Sequence, residues 1–324
     1  MTRGRHALRS LMIGAALCAV ATAGVIMVAS PRWDDYARSC RLVERAQRLS
    51  SERRPTDAFS AAEEAVRLAP NSPAAHRELA MHYRARGKTP EAIREMRLAV
   101  KQAPKDAGLL RELGTVLTEA GDMNEAVYWL SRAQEMAQND SLAAVPLAYC
   151  LLSMGRTREA LEAAERSVLI APRVPAAHLN LGRARWAAGD LSGAATAFLR
   201  ASHLRPSDVT PVLSLAAVHS ELGHPGEALA YARRAVEMDS GIAVGWITLG
   251  SAFLAADRPD DAMEAFRRAL KIQPGNVAAL MGMRSIHTGK GQPGHLPGPP
   301  MPRSYLDSAP STTTARRARH GLDR

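Results

Sequence analysis

Between residues 39 and 276, small and apolar residues return at a fixed interval of 34. Prolines mark the interval. Pro70, Pro104, Pro172, Pro206 and Pro274 lie 34 or 68 residues apart. With each proline at position 32, seven units follow without insertion or deletion: 39–72, 73–106, 107–140, 141–174, 175–208, 209–242 and 243–276. Position 20 is Ala in every unit, from Ala58 to Ala262. Position 7 is Leu from Leu79 to Leu249, with Arg45 in the first unit. Position 8 is always Ala or Gly, and position 15 is Gly at Gly87, Gly121, Gly155, Gly189 and Gly223.

Position 15 divides each unit into two amphipathic stretches of about 13 residues, too short to be stable helices alone. The small residues at positions 8, 20 and 27 allow neighbouring helices to approach closely, and the Leu at position 7 fills the seam between them. Glycine at position 15 supplies the positive φ of a tight turn. Glu91, Glu125, Glu159, Glu227 and Asp261 fall in the first turn of the second helix, where the helix dipole favours negative charge. Proline at position 32 ends that helix. The pattern predicts an all-α chain whose units bury their faces only by stacking on one another.

This pattern resembles the tetratricopeptide repeat (TPR). The resemblance covers residues 39–276 and implies an α-solenoid, a right-handed superhelix of helix–turn–helix units. It also implies that the first helices line a concave groove through positions 2, 5, 9, 12 and 13. Those positions make Arg77, Met81, Arg84, Arg111, Thr115, Tyr149, Arg183 and Trp186 the candidate groove residues. The last two units offer smaller or apolar side chains there, such as Leu213, Ala217, Ile247 and Ser251. Arginine beside Tyr or Trp is the composition of protein-binding hot spots. Arg77, Arg84, Arg111 and Arg183 suit the carboxylates of an acidic peptide. The plainer alternative is that these arginines only keep a helical surface soluble. No unit combines Lys at position 5 with Asn at position 9, as chaperone-binding TPR domains do. Asn180 alone fits the asparagine ladder of sugar-transferase arrays.

The ends of the array differ from its middle. The first unit has Arg45 and Arg53 where others carry Leu and Gly, and its charged first helix reads as a cap. Residues 277–288 (VAALMGMRSIHT) read as a closing helix, and residues 289–324 as a disordered, basic tail rich in Pro and Gly. Ahead of the array, residues 1–10 carry Arg3, Arg5 and Arg9. Residues 11–29 (LMIGAALCAVATAGVIMVA) carry no charge. As a helix this run rises ~28 Å, close to the ~30 Å hydrocarbon core of a bilayer. Residues 30–38 are expected to link it to the first unit, with Trp33 and Tyr36 near the interface.

A transmembrane signal-anchor explains this arrangement best. The flanking arginines keep the N-terminus cytoplasmic and export the array, into the periplasm if the cell is bacterial. A cleaved signal peptide competes, through Ala21-Thr22-Ala23, but leaves the apolar stub GVIMVAS exposed. A lipoprotein signal at Cys18 is disfavoured, because Leu17 stands where a small residue is needed.

Composition narrows the function. Hydrophobic residues at 46% exclude wholesale disorder, and aromatics at only 4% demand a core built from Ala and Leu. The net charge of +10 is concentrated at the ends, and residues 31–289 hold only +3 of it. A nucleic-acid binder needs a basic face on its folded part, to which the overall charge does not point, and no nucleic-acid partner is expected. No nucleophile, nucleotide-binding or metal-ligand motif occurs, so no enzyme activity, cofactor or metal is expected. His76 and His178, both at position 4, read as helix-packing residues, and Cys40 and Cys150 are too far apart along a solenoid to pair. The expected function is a membrane-tethered scaffold that binds a protein or peptide in its groove. Alternatives are a non-catalytic subunit of an envelope enzyme system, such as cytochrome maturation, polysaccharide export or pilus assembly, and electrostatic binding through the basic tail.

Overall fold

The computed structural model describes residues 31–137 and 141–288. These residues form fifteen α-helices and no strand. They fall into two compact units, divided between Ala120 and Gly121. In the first lie α1 (Pro31–Ser51), α2 (Pro55–Leu68), α3 (Pro73–Ala85), α4 (Thr89–Gln102) and α5 (Ala107–Ala120). The second holds α6 (Met123–Met136), α7 (Ser141–Ser153), α8 (Thr157–Ile170), α9 (Pro175–Ala187) and α10 (Leu191–Leu204), then α11 (Val209–Glu221), α12 (Pro225–Met238), α13 (Ala243–Ala255), α14 (Pro259–Ile272) and α15 (Val277–Thr288). Within each unit, consecutive helices pack as antiparallel hairpins that stack on the next hairpin.

The 34-residue period holds to the residue. First helices open at Pro73, Ala107, Ser141, Pro175, Val209, Ala243 and Val277; second helices open at Pro55, Thr89, Met123, Thr157, Leu191, Pro225 and Pro259. Local chemistry fixes these starts. Position 34 supplies side-chain oxygens that accept a backbone N–H of the first helix: Ser72 from Ala75, Asp106 from Leu109, Asp208 from Thr210 and Asn276 from Ala279. The position-4 histidines secure the preceding loop. His76 Nε2 lies 2.8 Å from the Pro70 carbonyl and His178 Nε2 lies 2.9 Å from that of Pro172, geometry in which the ring N–H donates. Helix α7 runs unbroken through the buried Pro146.

The turn at position 15 takes positive φ in every repeat. Five glycines do so without strain, from Gly87 at +70° to Gly121 at +89°. Arg53 (+59°) and Asp257 (+55°) adopt the same left-handed conformation in the first and seventh repeats. Stacking overrides local preference there, at about 1 kcal/mol each.

Packing between the two helices of a repeat follows a rule of complementary size. Where position 8 is Gly in the second unit, position 24 is Phe: Gly182 with Phe198, Gly250 with Phe266. Where position 8 is Ala, position 24 is smaller: Ala46 with Ala62, Ala148 with Ala164, Ala216 with Ala232, and the flexible Met96 opposite Ala80. Phe198 and Phe266 are fully buried. A Cβ on Gly182 would stand 2.5 Å from the Phe198 ring. On Gly250 it would stand 2.7 Å from the Phe266 ring, which Gly282 of α15 also flanks. The cores around these rings combine apolar side chains from successive repeats, so no hairpin owns its core.

One expectation is corrected. Residues 31–38 are not a linker but the first turns of α1. Pro31 suits the first helical position, and Asp34 in the first turn complements the dipole. The proposed span at residues 11–29 and the tail at 289–324 lie outside the described residues. No helix among the described residues is long and apolar enough to cross a membrane.

Two substitutions test this account. Gly250→Ala forces a methyl into the Phe266 ring and is expected to lower stability by about 1–3 kcal/mol in chemical denaturation. Arg53→Gly relieves the left-handed strain, and its expected gain of about 0.5–1 kcal/mol is checked the same way.

Candidate functional site

The candidate groove residues all lie on first helices, and the structure shows what each one touches. In the first unit, Arg77 of α3 reaches across to α5 of the next repeat. Its Nε and Nη2 donate to Glu112 Oε2 and Oε1 at 2.5 and 2.7 Å, a bidentate pair. Two turns further along, Arg84 makes the same reach to Glu119, with Nε 2.7 Å from Oε2 and Nη2 donating to Oε1. Both pairs join residues 35 apart, linking position 5 to position 6 and position 12 to position 13 of the following repeat. Arg111, the residue before Glu112, has its Nη2 3.8 Å from Glu112 Oε1. The Glu112 carboxylate hydrogen-bonded to Arg77 pushes that guanidinium's pKa further up.

These contacts change the expected character of the first unit's face. Three arginines assigned to an incoming acidic ligand already stand against acids of their own chain. The physical cause is reach. Packed helices lie about 8–10 Å apart, a gap that an arginine and a glutamate close together. Met81 is half-buried between the two pairs, and Thr115 Oγ1 donates to its own helix at Arg111 O.

In the second unit the same 35-residue register recurs with other chemistry. Trp186 Nε1 of α9 donates to Glu221 Oε2 of α11 at 3.0 Å. Its ring packs edge-on against Phe198, with centroids 6.2 Å apart. Asn180 Nδ2 donates to the Val145 carbonyl of α7 at 2.8 Å. Tyr149 of α7 and Arg183 of α9 occupy equivalent positions of adjacent first helices and are both partly exposed. Burial pulls the Arg183 pKa down, opposed by the fields of Tyr149 and Asp208. Its cation sits where water screens little. The structure thus brings Tyr149, Arg183 and Trp186 together on one unit, and Arg77, Met81, Arg84, Arg111 and Thr115 on the other.

Comparison with known proteins settles the family. A family model described as tetratricopeptide repeat matches residues 43–107, 81–141, 146–209 and 213–277, well over half the chain. The chain belongs to the tetratricopeptide-repeat family.

Solved TPR structures agree in fold. One from Parabacteroides merdae is 15% identical, covering 78% of this chain and 99% of its own, with a TM-score of 0.61. Pseudomonas aeruginosa pilF is 17% identical over 67% of this chain and 97% of its own, at 0.58. PilW, described as a type IV pilus biogenesis factor, is 19% identical over 61% of this chain and 92% of its own, at 0.57. Identities this low establish the fold alone. No curated protein matches the chain. TPR arrays are protein-interaction scaffolds, and that coarse role applies to this TPR protein.

Reading the groove positions of this TPR protein one repeat at a time misses Glu112, at position 6, and leaves Trp186 unconnected to Glu221, at position 13. The signal was present as an Arg or Trp followed 35 residues later by Glu. Among the described residues, no group of three His, Cys, Asp or Glu side chains is arranged to hold a metal ion. A double-mutant cycle with Arg84→Met and Glu119→Gln is expected to show a coupling of about 1–2 kcal/mol in denaturant unfolding, since the pair is bidentate and mostly shielded. Coupling below about 0.5 kcal/mol would reduce it to an ordinary surface contact.

Proposed function

We propose that this TPR protein is a membrane-tethered scaffold that holds a protein or peptide partner on the first-helix face of its second unit. The anchor is the uncharged run at residues 11–29, with the repeats outside the cytoplasm. The observation that carries the binding reading is the placement of Tyr149, Arg183 and Trp186 on neighbouring first helices. Two partly exposed aromatic side chains offer large contact area at low entropic cost, and the shielded Arg183 offers a cation to an acidic partner group. An acid placed against Arg183 gains more than one placed against a fully solvated arginine. The first unit, whose Arg77 and Arg84 hold Glu112 and Glu119, serves in this reading to keep successive hairpins in register.

The test combines topology with contact. A reporter fused after residue 35 is expected to report from outside the cytoplasm. A photo-crosslinking residue in place of Tyr149 is expected to give a discrete adduct in cells. Arg183→Ala should weaken that adduct at least about tenfold, the equivalent of one charge-assisted hydrogen bond. A cytoplasmic reporter refutes the export half. An adduct indifferent to both Arg183→Ala and Trp186→Ala refutes the binding half.

A further inference from the structure

The outward face of α1 breaks the repeat pattern in one chemical direction. Positions 3, 7 and 10 of the first helix are buried in every repeat from the second to the seventh. They are apolar or Gly throughout, with His82 as the exception. In the second repeat Ala75 and Leu79 pack on α1 and α2, and in the sixth Leu215 and Val218 share a core with Phe198 of the fifth. In the first repeat the same three positions are Arg41, Arg45 and Arg48, all exposed. Arg38, also exposed, continues the row one turn earlier. None of Arg41, Arg45 and Arg48 pairs with an acid among the described residues. Arg38 only approaches the half-exposed Asp35, at 3.8 Å.

An array end must be polar, because no repeat covers it, but polarity does not call for one sign of charge. Arg41 and Arg45 are four apart, and Arg38 with Arg41 and Arg45 with Arg48 are three apart, so each faces its neighbour on the helix. Like charges at these spacings are destabilising. The acids of α1 stand ahead of the row, at Asp34 and Asp35, or beside it, at Glu44. The opposite end of the array exposes Val277, Leu280 and Met281, so an uncovered end is not cationic by rule. A row of like charges is explained by opposite charge outside the chain, and the position of α1 points to its source. Helix α1 begins at Pro31, two residues after the uncharged run 11–29, and two residues span at most ~7 Å. Trp33 and Tyr36 in its first turns are exposed and meet edge-on, with centroids 6.5 Å apart. Such rings favour the headgroup level of a membrane.

We infer that the outward face of α1 docks on the headgroups of an anionic phospholipid bilayer, with the helix lying along the membrane surface. The inference rests on the anchor proposed above for its location, and holds for either leaflet. Arg41, Arg45 and Arg48 donate to lipid phosphates, whose oxygens match the guanidinium fork. Standing upright, α1 would lift Arg48 ~26 Å beyond Pro31, several times the ~8 Å Debye length at physiological salt. Lying flat, it brings the whole row within reach of the surface charge, where each arginine adds roughly fivefold to the affinity. The inward residues Val43, Ala46 and Leu49 meet α2 and α3, so the rest of the first unit stacks away from the bilayer.

Flotation of the full-length chain with lipid vesicles tests this. Val20→Asp with Val25→Asp interrupts the uncharged run, so that the binding left is surface contact. This variant is expected to float with vesicles of phosphatidylcholine and phosphatidylglycerol, to be released by high salt, and not to float with phosphatidylcholine alone. Adding Arg41→Gln, Arg45→Gln and Arg48→Gln should weaken that binding at least about tenfold, with Tm unchanged or higher because the like charges are gone. Arg41→Lys, Arg45→Lys and Arg48→Lys should retain it, and Arg316→Gln, Arg317→Gln and Arg319→Gln in the tail should leave it unaltered. Three results would each overturn the inference: no binding to the anionic vesicles, equal binding to both kinds, or affinity that survives the glutamines in α1 but falls with those in the tail. The chain with its uncharged run intact reads the anchor separately. Its release from vesicles by high salt would refute the anchor, while the docking face is still judged by the interrupted variant.

Discussion

Close approach between short helices is the constraint on which this structure rests. Helices α2 to α14 have 13 or 14 residues each, a length at which intrinsic propensity does not hold a helix in water. Their stability comes from burying a stripe of small residues against a neighbour. Conservation of volume at that contact shows how tight it is. Phe198 and Phe266 fit only because the residue opposite is glycine, and where the residue opposite is alanine the partner shrinks to Ala or Met. A close-packed interior leaves no slack for an extra methyl group, so the two positions behave as one site. The same stacking holds Arg53 and Asp257 in a conformation that local sterics disfavour.

A second constraint follows from the first. Once hairpins stack at a fixed spacing, residues 35 apart lie within side-chain reach, and the chain uses that register for polar ties. Arg77 with Glu112, Arg84 with Glu119, Trp186 with Glu221 and Asn180 with the Val145 carbonyl all obey it. In the first unit the ties are ionic and consume the arginines that a position-by-position reading assigns to a ligand. In the second they are carried by uncharged donors. The polar ties therefore differ between the two units, although the underlying repeat is uniform.

Much of the fold was legible in advance. The 34-residue interval places the starts of successive helices, and position 15 marks the turn even where Arg53 or Asp257 replaces glycine. The extension of α1 back to Pro31 was missed, although proline followed by acids is a helix-start signature. Of the candidate site, the faces were legible and the partners were not. Arg77 was correctly placed on a first helix, but its engagement with Glu112 depends on how far apart two packed helices sit.

The amino-acid sequence alone determined the repeat, the all-α class and the family, because periodic placement of Ala, Gly and Leu is a one-dimensional signal of which faces must be buried. Tertiary structure decided which charges are already satisfied and which glycine accommodates which aromatic ring. Those outcomes depend on distances between side chains in different repeats. Such distances are set only when the hairpins stack.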